Sequence, residues 1–277
     1  MNKLLFSTLL TLLTLAGARP GAAQQAGKDQ QMVVALSSPG KPGTLHLKLV
    51  GGSIRVEGYS GRDVVIDVVS HVGRDRGSDS EESRDGMRRI ARVNGLDVTA
   101  QEKNNHVYVR SQPGPRPVDF TIKVPRQFSL QIGTVNDGNI TVENVSGELE
   151  VSNVNGSIRL GNVAGSAVLN TVNGDVTARF TDVTANAPMA FSSVNGKIDV
   201  TFPAKVKTAL KLKSDRGEIY SDFDLTVDTS APKVSRTAKD GTYRVNVDNW
   251  TYGKINGGGA EAMMKTLNGN IYIRKAK

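Results

Sequence analysis

Five glycines, Gly138, Gly147, Gly156, Gly165 and Gly174, stand nine residues apart. The text between them reads GNITVENVS, GELEVSNVN, GSIRLGNVA and GSAVLNTVN. Each unit has Gly at position 1, apolar residues at positions 3, 5 and 8, and usually Asn at position 7. The register extends to FSLQIGTVN from Phe128, APMAFSSVN from Ala187, GKIDV from Gly196, TALKLKSDR from Thr208 and GEIYS from Gly217. That makes ten units; position 3 is apolar in all ten, and position 5 fails only at Ser221. Val-Asn closes alternate units, at Val135-Asn136, Val154-Asn155, Val172-Asn173 and Val194-Asn195, so the structural period is two units, or 18 residues. Few folds accept such a text.

Side chains alternate along a strand, so positions 3 and 5 share a face. Position 8 has the wrong parity for that face, so the chain must turn between 5 and 8. Glycine at the next position 1 suits a corner with positive φ or close backbone approach. Two strands and two corners make one coil of a flat β-solenoid, with positions 3, 5 and 8 expected inside. Coils of this size are not stable singly and need stacked neighbours. In this reading Gly138, Gly147, Gly156, Gly165 and Gly174 mark corners, and Asn144, Asn153 and Asn162 form a stacked amide ladder. Val-Asn-Gly-x-Ile is also a hairpin signal, so an antiparallel meander or sandwich is the alternative.

The fold class expected is therefore all-β, with short irregular strands before the repeats. Residues 1–23 read as a signal peptide: Lys3, then the apolar run Leu4 to Leu15, then small residues up to Ala23. Its removal changes the formal charge from +8 to +6, through loss of Lys3 and Arg19. No later segment has the length of a membrane-spanning apolar helix. Residues 24–43 read as a flexible leader, and 44–127 as an N-terminal β region with a charged excursion at 73–92. Residues 128–225 hold the regular repeats. Residues 226–277 supply last turns or a cap, with a loop at 228–241 and the repeat text once more in Leu267-Asn-Gly-Asn-Ile271.

The Val-Asn-Gly-x-Ile repeats, the segment Gly51-Gly-Ser-Ile-Arg-Val-Glu-Gly-Tyr-Ser-Gly-Arg-Asp-Val64 and the lead-in Val118-Asp-Phe-Thr-Ile-Lys-Val-Pro125 carry a resemblance. They resemble the bacterial "putative adhesin" β-strand-repeat family, a domain of unknown function, over residues 44–275. The resemblance implies an exported all-β repeat protein and brings no catalytic residues with it.

The chemistry legible in the chain is sparse. It has no Cys, which excludes disulfides, thiolate metal sites and cysteine catalysis. Its three histidines, His46, His71 and His106, are far apart in sequence, so no metal site is expected. The catalytic motifs of metalloproteases, serine hydrolases, P-loop proteins and dinucleotide enzymes are absent. The Gly pair and Asp of calcium-binding nonapeptides are missing. Asp199, Glu218 and Asp222 read as a solvated face rather than a catalytic pair. No cofactor is expected.

What remains is charge. Lys205, Lys207, Lys211 and Lys213 lie close together, and Lys211 and Lys213 flank apolar residues and so point outward. Arg74, Arg76, Arg84, Arg88, Arg89 and Arg92 crowd the excursion. Such clusters attract anionic polymers by screened Coulomb forces. The expected function is a non-enzymatic, exported structural or adhesin-like binding module of the bacterial envelope, periplasmic or at the cell surface. Its partner would be an anionic envelope polysaccharide or another envelope protein. Nucleic acid is not expected, because no aromatic stacking platform accompanies the basic residues. Two alternatives stay open: a polysaccharide-active enzyme of the parallel β-helix type, and an accessory protein of an envelope signalling system.

Overall fold

A computed structural model of the chain describes residues 31–70, 97–112, 117–136, 138–228, 234–239, 242–247 and 250–277. The expected signal peptide and the charged excursion, with its arginines, lie outside these residues. All regular structure among the described residues is β.

The repeats form a flat solenoid. Each coil gives one strand to a first face and one to a second face, and neighbouring coils pair in parallel. Eight coils stack along the axis. The first is His106–Ser111 with Val118–Pro125, and the second is Gly43–Lys48 with Ile54–Tyr59. The third is Phe128–Thr134 with Ile140–Glu143. The fourth is Ser146–Asn153 with the start of the long strand Ile158–Asn173. That strand rounds a corner and continues into the fifth coil, completed by Val176–Val183. The sixth is Met189–Asn195 with Ile198–Phe202. The seventh is Ala260–Asn268 with Ile271–Lys275, and the eighth is Thr208–Ser214 with Ile219–Ser221.

The parallel register settles the choice between solenoid and meander. Ile158 stands opposite Ile140 on one side and Val176 on the other, each 18 residues away. The meander would require antiparallel neighbours, and these occur only beyond the stack. Gln31–Val34 and Val64–Ser70 extend the second face past the first coil, and Val98–Lys103 extends the first face there. Thr251–Ile255 and Thr226–Asp228 extend the first face past the eighth coil.

Three expectations about the flanks change. Residues 31–34 of the supposed leader form a strand against 64–67, and Leu36 is buried, because Met32, Val34 and Leu36 have an apolar strip to cover. The supposed loop at 228–241 contains the strand Val234–Lys239, paired with Thr242–Val247 in a separate sheet. The strands from Ala260 to Lys275 do not come last; they lie between coils six and eight. Coil two is inserted likewise, between coils one and three. Leu267-Asn-Gly-Asn-Ile271 matches Val194-Asn-Gly-Lys-Ile198 in text, so it fits a slot next to it whatever its place in the chain.

The interior is a column of Val, Ile and Leu from positions 3 and 5, with Phe180, Phe191 and Phe202 packed together inside coils five and six. Position 8 behaves differently at the two corners. At one, Asn144 and Asn162 adopt positive φ of 59° and 51°, and Val145 and Val163 turn inward and are buried. Asn reaches this region more readily than most residues. At the other corner position 7 points inward, and Val135, Val172 and Val194 are 38–42% exposed instead of buried as expected.

That second corner carries a repeated polar bond. Thr134 donates to the carbonyl oxygen of Gly52, Asn153 to Gly138, Thr171 to Gly156, Ser193 to Gly174, Thr266 to Gly196 and Ser214 to Gly269, all at 2.8–2.9 Å. Each donor belongs to the coil after the glycine it meets. The same carbonyl oxygens face the next glycine in the column. A Cβ on Gly138, Gly156, Gly174, Gly196, Gly269 or Gly217 would lie 2.0–2.3 Å from one of them. Gly147 and Gly165 line the opposite corner, where Gly165 has φ +116° and its Cβ would lie 2.0 Å from the Gly147 oxygen.

Two stability predictions follow from these corners. Gly174→Ala should lower unfolding free energy by about 2–4 kcal/mol, because the methyl group meets rigid backbone. Gly161→Ala, where the nearest atom is 3.5 Å away, should be near neutral in the same denaturant titration. Equal effects would contradict the stacking. Asn153 leaves its Oδ1 buried without a partner. Asn153→Thr keeps the donor and removes that orphan, so it should stabilise by about 1 kcal/mol; a destabilised variant would refute the reading.

Candidate functional site

In a stack of this kind, each outward position becomes a row running along the axis, one residue per coil. These rows make up the outer surface of the stack.

One row is an amide ladder. Asn155 donates from Nδ2 to Oδ1 of Asn136 at 3.2 Å, Asn173 to Asn155 at 2.8 Å, Asn195 to Asn173 at 2.8 Å and Asn268 to Asn195 at 2.7 Å. The ladder expected from Asn144, Asn153 and Asn162 is therefore corrected: the amides that stack are those at position 9. Asn144 and Asn162 serve the positive-φ corner, and Asn153 points inward to Gly138. Position 7 cannot hold one ladder, because successive units place it at opposite corners. The position-9 amides bond only to each other along most of the column, which fits a structural role.

The lysines divide into two groups. Lys211 and Lys213 project from the first face of coil eight, as their alternation with Leu210 and Leu212 requires. Lys211 Nζ lies 4.8 Å from the Trp250 ring centroid and Lys213 Nζ 6.0 Å, both within cation–π reach. Lys213 also pairs with Asp215 at 3.4 Å. Lys205 and Lys207 do not join them. They sit in the 203–207 connection, beside a cleft of about 270 Å³ also lined by Asp182, Asn186 and Pro203. Four residues of extended chain, about 13 Å, separate Lys207 from Lys211.

Three members of the Lys211 cluster, Trp250, Lys265 and Tyr252, were not found from sequence. Lys265 stands opposite Lys213 on coil seven, and Tyr252 stands opposite Lys211 on the strand beyond coil eight. Lys265 was legible in principle: in a unit starting at Ala260 it takes position 6, as Lys213 does in the unit from Thr208. Trp250 and Tyr252 carry no repeat signal.

At the other end of the first face, the fold brings together two histidines that the sequence keeps 60 residues apart. His46 Nε2 and His106 Nδ1 are 3.2 Å from each other, and His46 stacks on Tyr108 with centroids 4.4 Å apart. Lys48, Arg110 and Gln131 complete an open groove of about 470 Å³. Partial burial holds the His46 pKa below 6.5, and the neighbouring His106 pushes the same way, against a hydrogen bond to Gln131, which favours the protonated ring. No group of three or more potential metal ligands occurs among the described residues.

The second face is occupied by its own partners. Arg274 grips Asp199 in a forked pair at 2.7 and 3.1 Å, which keeps the guanidinium charged. Tyr220 stacks on Tyr272 at 5.2 Å and donates its hydroxyl to Glu218, which raises the phenol's pKa. Asp222 accepts from the Lys275 backbone N–H. The three carboxylates singled out from sequence are thus bonded locally and do not face one another as a pair. No helix among the described residues is long and apolar enough to cross a membrane.

Comparison with known proteins gives one family and one structure. The model of the family described as Toastrack DUF4097 matches residues 24–256. A solved structure of a "putative cell adhesion protein" from Clostridium sporogenes ATCC 15579 is similar, at 10% identity and a TM-score of 0.41, over 89% of this chain and 99% of that one. No curated protein matches the chain.

The His46 environment makes a pH prediction. The folded chain disfavours the imidazolium, so the folded pKa lies below the unfolded value of 6.5. The contribution to stability is complete above that value and is lost as pH falls through it. Acidification from about pH 7.5 to about pH 5.5 should lower Tm more in the wild type than in His46→Gln. Superimposable pH profiles would show that His46 contributes nothing.

Proposed function

The chain belongs to the Toastrack family, a family of unknown function, and we propose that it is a non-enzymatic binding module of the bacterial envelope. Its ligand is an anionic polysaccharide, held at the C-terminal end of the first face. The observation that carries this reading is the pairing of ammonium groups with aromatic rings on one outward surface. Lys211 and Lys213 lie against Trp250, and Lys265 and Tyr252 flank them. Rings offer flat apolar faces with a polar tip, suited to sugar rings, and the ammonium groups attract the acidic substituents. The proposed export rests on the apolar run and small residues of 1–23. The non-enzymatic role rests on the absence of catalytic motifs in the sequence and on the local bonding of Asp199, Glu218 and Asp222.

Charge reversal tests this reading. Lys211→Glu combined with Lys213→Glu should weaken binding to a linear polyuronate about tenfold or more, with a salt dependence typical of screened charges. The circular dichroism spectrum should not change, since both side chains project from the sheet. Unaltered retention on a polyuronate column would overturn it.

A further inference from the structure

The row at position 6 of the first face runs the length of the stack and has an unusual composition. Parallel pairing places Gly133 beside Ser152, Ser152 beside Asn170, Asn170 beside Ser192, and Ser192 beside Lys265. Lys265 is followed by Lys213. In the other direction, Gly133 is beside Lys48, and Arg110 follows, one residue past the Leu47–Val109 pair. Two cations therefore stand at each end, with four small uncharged residues between. No carboxylate is on the row; Asp215 reaches it from beyond the strand end to pair with Lys213, and Glu150 stands on the adjacent row at position 4.

The end pairs are costly as they stand. Like charges on directly opposed residues of neighbouring strands repel. Lys213 has Asp215 to offset its charge, whereas Lys265, Lys48 and Arg110 have no ion-pair partner among the described residues. Each end pair also has rings beside it: His46 and Tyr108 on the adjacent row at one end, and at the other Tyr252 on that row with Trp250 against Lys211 and Lys213. The middle has hydroxyl and amide groups at the surface and no bulky side chain, and Ser192 already donates to Asn170 there.

We propose that a linear anionic glycan lies lengthwise along this row, crossing the strands, with Lys48 and Arg110 forming a second cationic end site to match Lys213 and Lys265. This rests on the polysaccharide reading above and extends it from one patch to a track. Seven steps between coils at about 4.8 Å each give a span of about 34 Å. A chain long enough to reach both ends gains from both at once, because the second contact forms at high effective concentration. A short oligosaccharide occupies one end only. Row 4 is excluded as the path by Glu150, which would repel the acidic groups.

Chain length is the readout that separates the track from the patch. Binding of a linear uronate trisaccharide and dodecasaccharide is measured by calorimetry for the wild type, Lys48→Glu/Arg110→Glu and Lys211→Glu/Lys213→Glu. The wild type should bind the dodecasaccharide at least about tenfold more tightly than the trisaccharide. The Lys48/Arg110 variant should lose that preference and keep a trisaccharide affinity within about twofold of the wild type. Lys48→Arg/Arg110→Lys, which keeps both charges, should restore it. Loss of affinity only in the Lys211/Lys213 variant, with no effect at Lys48 and Arg110, would overturn the track and leave the patch. No effect in either variant would overturn both. Equal or tighter binding of a polyphosphate of matched charge would overturn the assignment to a glycan.

Discussion

The structure depends on a contact made at one corner of every coil from three to eight. There a glycine carbonyl points along the axis at the next glycine and accepts a bond from an inward Thr, Ser or Asn of the same next coil. The two demands reinforce each other. The bond requires the oxygen to lie close to the next coil, and closeness excludes any Cβ. Six such bonds, from Thr134 to Ser214, run down an otherwise apolar interior. A carbonyl buried there without a donor would be expensive, so the position-7 donor and the position-1 glycine are fixed together.

With that column set, the rest of the coil has little freedom. Positions 3 and 5 must face inward on both sheets, and the second corner must return the chain by a different route. It does so through left-handed Asn144 and Asn162, which turn Val145 and Val163 inside. The two corners are chemically unlike, and this is why the period is two units and not one. The outward positions are then free to differ from coil to coil. The acidic, neutral and basic residues along each row are unconstrained by the fold, and the cations at the ends of row 6 are where that freedom is used.

The coil length, the strand positions and the identity of most core residues could be read from the nine-residue text, because apolar periodicity reports burial directly. The direction of pairing could not, since Asn-Gly between two strands serves a hairpin and a solenoid corner alike. The role of position 7 was misread because one letter, Asn, serves three purposes: a left-handed corner at Asn144, an inward donor at Asn153, and, one position further on, the outward ladder from Asn136 to Asn268. Nor does the text give the order of coils in space. The lysine site was half legible: alternation placed Lys211 and Lys213 outward, but Lys265 reaches them through coil intercalation and Trp250 from just ahead of the antiparallel strand beyond coil eight, while Lys205 and Lys207 line a separate cleft. The closeness of His46 and His106 was not legible either, because their 60-residue separation along the chain is removed only by parallel stacking.

If fit to the corner column decides a coil's place, chain order need not match spatial order, and coil seven lies between coils six and eight. The chain has no native cysteine, so this can be tested with paired substitutions. Lys213→Cys with Lys265→Cys should form a disulfide on mild oxidation, because the two positions are directly opposed. Ser192→Cys with Lys213→Cys should not, because coil seven separates them by about two strand spacings. The reverse pattern would place coil eight directly on coil six and contradict the account.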